Sequence, residues 1–274
     1  MKRFLKVFAF SFLIVSFAAV SASLAAEKKV FKVGMECASA PYNWSQSNRE
    51  EGTARIAGSK EYAYGYDVII AQKIADSMGA ELEVHKIEWD GLPPAVATGK
   101  VDAAIAAMSI TEKRKTTVDF SDPYYYAHVV PLVRKDSPQG KAQSIADLRG
   151  SRATSQLNTM WYDKIDQIPD VKKLPAMADI PSLIVALASG KCDVLVVDIP
   201  SAKAAAYANP ELMMLELAPG KGFQTNREDV ELGIAIRKGN TELAAKINKV
   251  LSKLTDEDRA AFMEEAVRRQ PLMQ

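Results

Sequence analysis

One stretch of the chain combines a cation, hydroxyl groups and a predicted buried strand. Residues 101–106 are predominantly apolar and lead directly to Ser109, Thr111 and Arg114. Side chains that follow the carboxyl end of such a strand lie where open α/β sheets bind ligands. The planar guanidinium of Arg114 matches a carboxylate through two parallel hydrogen bonds. The stretch therefore predicts an anion site, and a solvated basic turn capped by Thr111 is the alternative.

A second set of polar groups accompanies the apolar strand predicted at 194–197. Asp198 follows this strand directly and offers a negative charge, and a role as the N-cap of the next helix is the alternative. An earlier turn opens another helix, for which Asn158 is a suitable N-cap. The free N–H groups near Thr159 and Met160 would bind an anion. This half of the chain thus predicts both a cation-binding and an anion-binding group.

Taken together, these groups match the two charges of an α-amino acid. Arg114 and the helix N–H groups would hold a carboxylate from two sides, and Asp198 would hold an ammonium group. The hydroxyl of Ser109 and the backbone around Ala107 would complete the hydrogen bonds. The carboxylate would then bridge two halves of the protein.

A repeated unit predicts how these two halves are built. Two similar segments each lie between a helical pattern and an apolar strand. They are Ala-Thr-Gly-Lys-Val-Asp at 97–102 and Ala-Ser-Gly-Lys-Cys-Asp at 188–193. Two copies of one helix–glycine–strand unit predict two similar α/β lobes. The polar groups follow strand ends in both copies, so a cleft between the lobes would gather them.

The remaining periodicity predicts the other elements. Asp90 is expected to cap a brief helix that Gly99 ends, and Thr255 with Asp258 forms a capping box. The long polar segment 43–64 predicts a lid or wall, or else a surface loop. Further strands are expected at 30–33, 81–87, 152–155, 212–217 and 231–237, and helices at 67–78, 179–190, 200–208, 241–254 and 256–268.

The N-terminus predicts export. Three basic residues among the first six precede an uncharged run at 7–20 and small residues at 21–25. This pattern is typical of a secretory signal peptide cleaved near Ala25, and an uncleaved anchor at 7–26 is the alternative. Removing residues 1–25 takes away three Lys/Arg and no acidic residue. The formal charge falls from +1 to −2, which argues against nucleic acid as a partner.

The sequence gives little support to a metal or a cofactor. His85 and His128 lie far apart without a Cys or His at ligand spacing, and no dinucleotide fingerprint or P-loop is present. We therefore expect no cofactor. Cys37 and Cys192 follow and precede strands of different halves, which favours two free thiols over a disulfide.

Several motifs resemble one family. One segment is similar to the first-lobe ligand loop of the bacterial amino-acid-binding proteins that feed ABC importers. It consists of Ser-Ile-Thr-Glu-Lys-Arg at 109–114, followed by Val-Asp-Phe-Ser-Asp-Pro-Tyr-Tyr at 118–125. The resemblance extends in order and spacing from about residue 30 to 254. The other matching pieces are Gly-Tyr-Asp-Val at 65–68, Trp-Asp-Gly-Leu at 89–92, Gly-Lys-Val-Asp-Ala at 99–103 and Gly-Ile-Ala-Ile-Arg-Lys-Gly-Asn at 233–240.

The resemblance implies a two-lobed periplasmic-binding-protein fold of type II, α/β, with mostly parallel sheets flanked by helices. Lobe 1 would comprise 26–127 and 233–274, and lobe 2 would comprise 128–232, with crossovers near 127–131 and 228–232. The implied function is periplasmic capture of an amino acid by a monomer that delivers it to an ABC permease, without catalysis.

The same fold also hosts a periplasmic dehydratase that acts on an aromatic amino-acid precursor. Such an enzyme would need a general acid or base, for which Glu36 and Asp198 are the candidates.

Residues after the first strand bear on ligand selectivity. Relatives that bind basic amino acids place an acidic residue where Glu36 stands, and Ser39, Asn43 and Ser45 follow it. These residues predict a polar or cationic ligand side chain, unless Glu36 faces solvent or a neighbouring base. Trp89 resembles the family's side-chain wall, and a place in the core is the alternative.

Overall fold

The computed structural model describes residues 29–271, so the predicted signal peptide at 1–25 lies outside the described part. Its strands are β1 (Val30–Met35), β2 (Ala38–Ser39), β3 (Asn43–Gln46), β4 (Ala54–Arg55), β5 (Tyr62–Tyr64), β6 (Glu81–Lys86), β7 (Ala103–Ala104), β8 (Val118–Phe120), β9 (Tyr125–Tyr126), β10 (Val129–Arg134), β11 (Arg152–Thr154), β12 (Lys172–Lys173), β13 (Val194–Asp198), β14 (Leu212–Met214), β15 (Glu231–Leu232) and β16 (Ala235–Arg237). Its α-helices are α1 (Tyr66–Ser77), α2 (Leu92–Ala97), α3 (Glu112–Lys115), α4 (Met160–Lys164), α5 (Ile180–Ala188), α6 (Ile199–Ala208), α7 (Arg227–Val230), α8 (Thr241–Leu251) and α9 (Asp256–Arg269).

Two five-stranded sheets share one plan. The first has the order β6-β1-β7-β16-β8, and the second has the order β12-β11-β13-β10-β14. In each sheet the first three strands are parallel and the last two add antiparallel neighbours. The predicted α/β class is confirmed, with sheets that are mixed because half of the pairings in each are antiparallel. Separate hydrophobic cores cover the two sheets.

The sequence repeat corresponds to a structural repeat. Gly99 ends α2 at φ +75°, and Gly190 ends α5 at φ +73°, a conformation that glycine adopts without a Cβ penalty. The aspartate three residues later has the same role in both copies. Asp102 accepts from the N–H of Lys32 at 2.8 Å, and Asp193 accepts from the N–H of Arg152 at 2.9 Å. Each aspartate thus fixes its strand against a parallel neighbour.

A two-stranded antiparallel ladder joins the regions of the two sheets. Tyr126 pairs with Glu231, and Tyr125 pairs with Leu232, where the predicted crossovers lie. This pairing ties both connections together, as expected of a hinge. The exact lobe boundaries remain a prediction.

The segment 43–64 is structured rather than a surface loop. With β2 it forms a four-stranded antiparallel sheet of order β2-β3-β5-β4. Tyr64 of this sheet donates a hydrogen bond to Glu265 of α9 at 2.6 Å, and the guanidinium of Arg269 stacks 3.9 Å from the centre of the Tyr64 ring. The segment is therefore a small sheet fixed to the C-terminal helix, and its role as a lid or wall stays a prediction.

Two local predictions need correction. The strand expected at 101–106 is confirmed in part: β7 covers only Ala103–Ala104, although the amides of Asp102 and Ile105 also donate to carbonyls of β1. The backbone then becomes left-handed at Ala107, with φ +50°. Asp90 does not cap a helix, since Gly91 is the N-cap residue of α2 and no side chain caps it. The capping box of Thr255 and Asp258 is confirmed. In the part of the chain that the structure describes, no helix has the length and apolar character needed to span a bilayer.

Candidate functional site

A cavity lies between the carboxyl ends of the parallel strands of the two sheets. Seven of the ten predicted site residues line it, and Asp198, Asn158 and Met160 do not. Its wall also contains six residues that were not among the predicted site residues. The lining residues are Glu36, Ser39, Tyr42, Trp89, Ala106, Ala107, Ser109, Arg114, Gln156, Thr159, Trp161, Ile180 and Ser201.

Arg114 is held in the cavity wall as a charged fork. It belongs to α3, where the hydroxyl of Thr111 accepts from its N–H and so provides the predicted N-cap. Its Nη1 donates to the carbonyl of Ser109 at 2.9 Å, and its Nη2 donates to the carbonyl of Asn158 at 3.1 Å. The guanidinium stacks on Trp89, 5.2 Å from the ring centre. Burial lowers the pKa of Arg114 to about 10, so it is cationic at neutral pH.

Glu36 is an acidic group on the same cavity wall. It follows β1, and only 5% of its surface is exposed. Its carboxyl group accepts from the hydroxyl of Ser39 and from the side-chain amide of Gln156, both at 2.9 Å. Burial raises the pKa of Glu36 to about 7, and these two hydrogen bonds oppose the shift. A cation placed beside Glu36 would replace the water that burial removes.

Asp198 lies behind the wall, where it is fully buried. One oxygen accepts from the N–H of Ser201 at 2.8 Å, so Asp198 is the N-cap of α6. The other oxygen accepts from the hydroxyl of Tyr42 at 2.7 Å. Burial raises the pKa of Asp198. The alternative prediction, that Asp198 is a helix N-cap, is therefore confirmed. Both residues that Asp198 contacts, Tyr42 and Ser201, line the cavity, so its charge lies directly behind the cavity wall.

The predicted anion turn has a different geometry from the one expected. Thr159, not Asn158, is the N-cap residue of α4, and its hydroxyl donates to the carbonyl of Gln156 at 2.7 Å. Asn158 instead adopts a left-handed conformation, with φ +55°, and its side-chain amide donates to Asp90 at 2.9 Å. Met160 packs against the core of the second sheet. The prediction that Asn158 is an N-cap is wrong, because its side chain has a distant acceptor.

Four hydrogen-bonded contacts connect the two halves across the cavity. Tyr42 binds Asp198, Gln156 binds Glu36, Arg114 binds the Asn158 carbonyl, and Asn158 binds Asp90. All of them join groups from the first sheet's side to groups from the second sheet's side. The structure is therefore a closed form of the cleft.

The family model for bacterial extracellular solute-binding proteins, family 3, matches residues 31–265. The chain belongs to this family. The resemblance seen in its motifs is thereby confirmed.

Individual solute-binding proteins and a solved structure agree with this assignment. A probable histidine-binding protein of Campylobacter jejuni is 32% identical over 58% of this chain and 62% of its own length. The ABC transporter glutamine-binding protein GlnH of Bacillus subtilis is 32% identical over 71% of this chain and 69% of its own length. The solved structure is the substrate-binding protein of an amino acid ABC transporter from Streptococcus pneumoniae, bound to L-arginine. It has a TM-score of 0.75 and 26% identity, and covers 87% of this chain and 94% of its own.

These relatives are named as binding proteins, which favours binding over the dehydratase alternative. The solute-binding protein is not an enzyme, and its fold is the predicted type II fold of periplasmic binding proteins. Among residues 29–271 no group of three or more His, Cys, Asp or Glu side chains is arranged to hold a metal ion.

Sequence reasoning missed several wall residues of this solute-binding protein. Gln156 follows β11 by two residues, much as Glu36 follows β1, and that position was the signal that could have identified it. Tyr42 lies in the turn between β2 and β3. Trp161 and Ile180 lie at the starts of α4 and α5 and belong to the apolar pattern of the second core. Their side chains give no sequence signal that separates a cavity wall from a core.

Proposed function

We propose that this solute-binding protein captures an α-amino acid with a polar or basic side chain and delivers it to an ABC permease. Family membership supports the solute-binding and transport parts. The observation that carries the side-chain part is the buried carboxyl group of Glu36, which lines the same cavity as Arg114. The relatives named for histidine and glutamine, and the one bound to L-arginine, are consistent with that chemistry.

The ligand carboxylate binds Arg114 and the first amides of α4, at Thr159 and Met160. Arg114 offers a fork whose orientation is fixed by two carbonyl groups and by the Trp89 ring. The ammonium group lies towards Asp198, whose charge is behind Tyr42. These contacts are made from both sides of the cavity, so a zwitterion stabilises the closed form.

The ligand side chain extends towards Glu36 and Ser39. An ammonium, guanidinium or amide group there replaces the hydrogen bond that Gln156 now donates to Glu36. Trp89 stacks on the aliphatic stem or on a guanidinium plane. An aliphatic side chain would leave the carboxyl group of Glu36 without this compensation.

The lobes and the location complete the proposal. Lobe 1 comprises 26–127 and 233–274, lobe 2 comprises 128–232, and rigid-body closure occurs about the β9–β15 ladder. The extracellular family of the protein supports a periplasmic location, reached by cleavage of the signal peptide at 1–25. We further propose that it acts as a monomer without a cofactor or nucleic acid.

A thermal-shift screen of the twenty amino acids tests this function. Arg, Lys, His or Gln is expected to raise the melting temperature most, because each can pair with Glu36. If Leu, Ile or Val gives the strongest stabilisation, the side-chain part is refuted. If no amino acid stabilises the folded protein, the amino-acid ligand itself is refuted. Mass spectrometry of the ligand that copurifies provides an independent identification.

A further inference from the structure

The helix α1 contains a buried carboxylate that no step of the proposed function uses. Asp67 has no exposed surface, although it lies in the first turn of the helix. Its side chain does not cap α1, since Gly65 is the N-cap residue and receives no side-chain cap. No salt bridge to Asp67 is formed among residues 29–271. A buried acid without a cationic partner calls for another role.

The two oxygens of Asp67 each accept one strong hydrogen bond. Asn43 donates through its side-chain amide to one oxygen at 2.7 Å, and the hydroxyl of Tyr124 donates to the other at 2.6 Å. Asn43 and Tyr124 are themselves fully buried. Burial raises the pKa of Asp67 to about 6, so at neutral pH it is mainly ionised and can only accept.

Each of these donors in turn holds a backbone amide at the edge of the cavity. The side-chain oxygen of Asn43 accepts from the N–H of Cys37 at 2.7 Å, and the hydroxyl oxygen of Tyr124 accepts from the N–H of Ala107 at 2.9 Å. Both Cys37 and Ala107 are non-glycine residues in the left-handed region, with φ +55° and +50°. Such conformations persist only when their surroundings fix them.

These two turns carry the first-sheet wall of the ligand site. Cys37 directly follows Glu36, and Ala107 precedes Ser109 by two residues. Glu36, Ala107 and Ser109 all line the cavity. The hydrogen bonds that fix both turns converge on one carboxylate that does not itself line the cavity.

We infer that Asp67 is a positioning residue of the ligand site, which holds the Cys37 and Ala107 turns through Asn43 and Tyr124. Because Asp67 only accepts, it makes Tyr124 direct its proton inward and leaves the hydroxyl oxygen free for the Ala107 amide. For the same reason it makes Asn43 direct its NH₂ group inward and its oxygen towards Cys37. This inference rests on the ligand site proposed above.

Residue-resolved amide hydrogen exchange tests the two branches without any ligand. Asp67→Asn leaves one acceptor oxygen for two donors, so at least one of the Cys37 and Ala107 amides should exchange at least about tenfold faster. Tyr124→Phe removes one hydroxyl group and should affect the Ala107 amide while the Cys37 amide keeps its protection. The control is Asp76→Asn, the same change at an exposed position of α1. Amides of β13 report whether any variant is globally destabilised.

Affinity measurements then connect the network to the site. The probes are L-arginine, L-histidine and L-glutamine, titrated calorimetrically into each folded variant. Mutating groups that orient metal ligands costs about 10–100-fold in affinity, and by analogy Asp67→Asn and Tyr124→Phe should weaken binding by at least tenfold, whereas Asp76→Asn should not.

The outcomes separate this inference from the proposed function. If the wild-type protein binds none of the probes, the proposed ligand class fails, while the exchange pattern still tests the network. Unchanged exchange of both amides in a folded Asp67→Asn or of the Ala107 amide in Tyr124→Phe overturns the inference. So does faster exchange combined with unchanged affinity for a probe that the wild-type protein binds. If Asp67→Asn does not fold, Tyr124→Phe decides.

Discussion

The affinity for a basic amino acid should depend on pH through Glu36. Burial raises the pKa of Glu36 to about 7. A guanidinium or ammonium group beside it stabilises the ionised form, so binding releases a proton from any molecule in which Glu36 is protonated. Affinity should therefore rise with pH up to about 7 and then level off.

The size of the effect follows from the ionised fraction. With a pKa of about 7, about 3% of Glu36 is ionised at about pH 5.5 and about 76% at about pH 7.5. L-arginine should thus bind about 25-fold more tightly at the higher pH. Glu36→Gln keeps the shape but removes the charge, and loss of one partner of a buried ion pair costs about 3 kcal/mol. Its affinity should fall about a hundredfold at about pH 7.5 and show little dependence on pH.

Isothermal titration calorimetry in two buffers of different ionisation enthalpy measures both the affinity and the released proton. Glu88→Gln is the matched control, because Glu88 is exposed and acts on Glu36 only through its charge. This control should keep both the affinity and most of its pH dependence. A wild-type affinity for L-arginine that is flat from about pH 5.5 to 7.5, or a Glu36→Gln variant that binds normally, would refute the reasoning.

Three further predictions concern binding, closure and stability. Arg114→Met should lower the amino-acid affinity measured by calorimetry about a thousandfold, because the ligand carboxylate loses its charged partner. Lys113→Met, on the exposed side of α3, is the control and should bind normally. Near-normal binding by a folded Arg114→Met would remove Arg114 from the site. Tyr42→Phe removes the charge-assisted hydrogen bond to Asp198 across the cavity, so it should weaken amino-acid binding about tenfold or more. It should also enlarge the radius of gyration that small-angle scattering measures with saturating ligand, and unchanged values of both quantities would contradict this prediction. The folded-state pKa of Glu36 is raised from 4.5 to about 7, so its contribution to the free energy of unfolding is present below pH 4.5 and is lost as pH rises to about 7. Denaturant titrations without ligand should therefore show the wild type losing up to about 3 kcal/mol relative to Glu36→Gln across that window. A difference that stays constant with pH would contradict the raised pKa of this buried carboxyl group.

The sequence by itself determined the family, the α/β class and most of the local elements. The repeat at Gly99 and Gly190 predicted two lobes of one plan, and the structure has two sheets with the same pattern of pairing. Capping by Thr111 and Thr255 was also readable. Such signals are local, because a cap or a helix end involves residues only a few positions apart.

Only the tertiary structure decided how the polar groups are oriented. The side chain of Asp198 accepts from Tyr42, 156 residues away, and the side chain of Asn158 donates to Asp90, 68 residues away. No spacing rule connects such pairs. The sheet within 43–64 was not predicted, because its strands are only two to four residues long and no sequence pattern shows how they pair with β2 and with one another. A buried carboxylate such as Asp67 is equally invisible in sequence, since its role depends on donors that the fold brings to it from both sides.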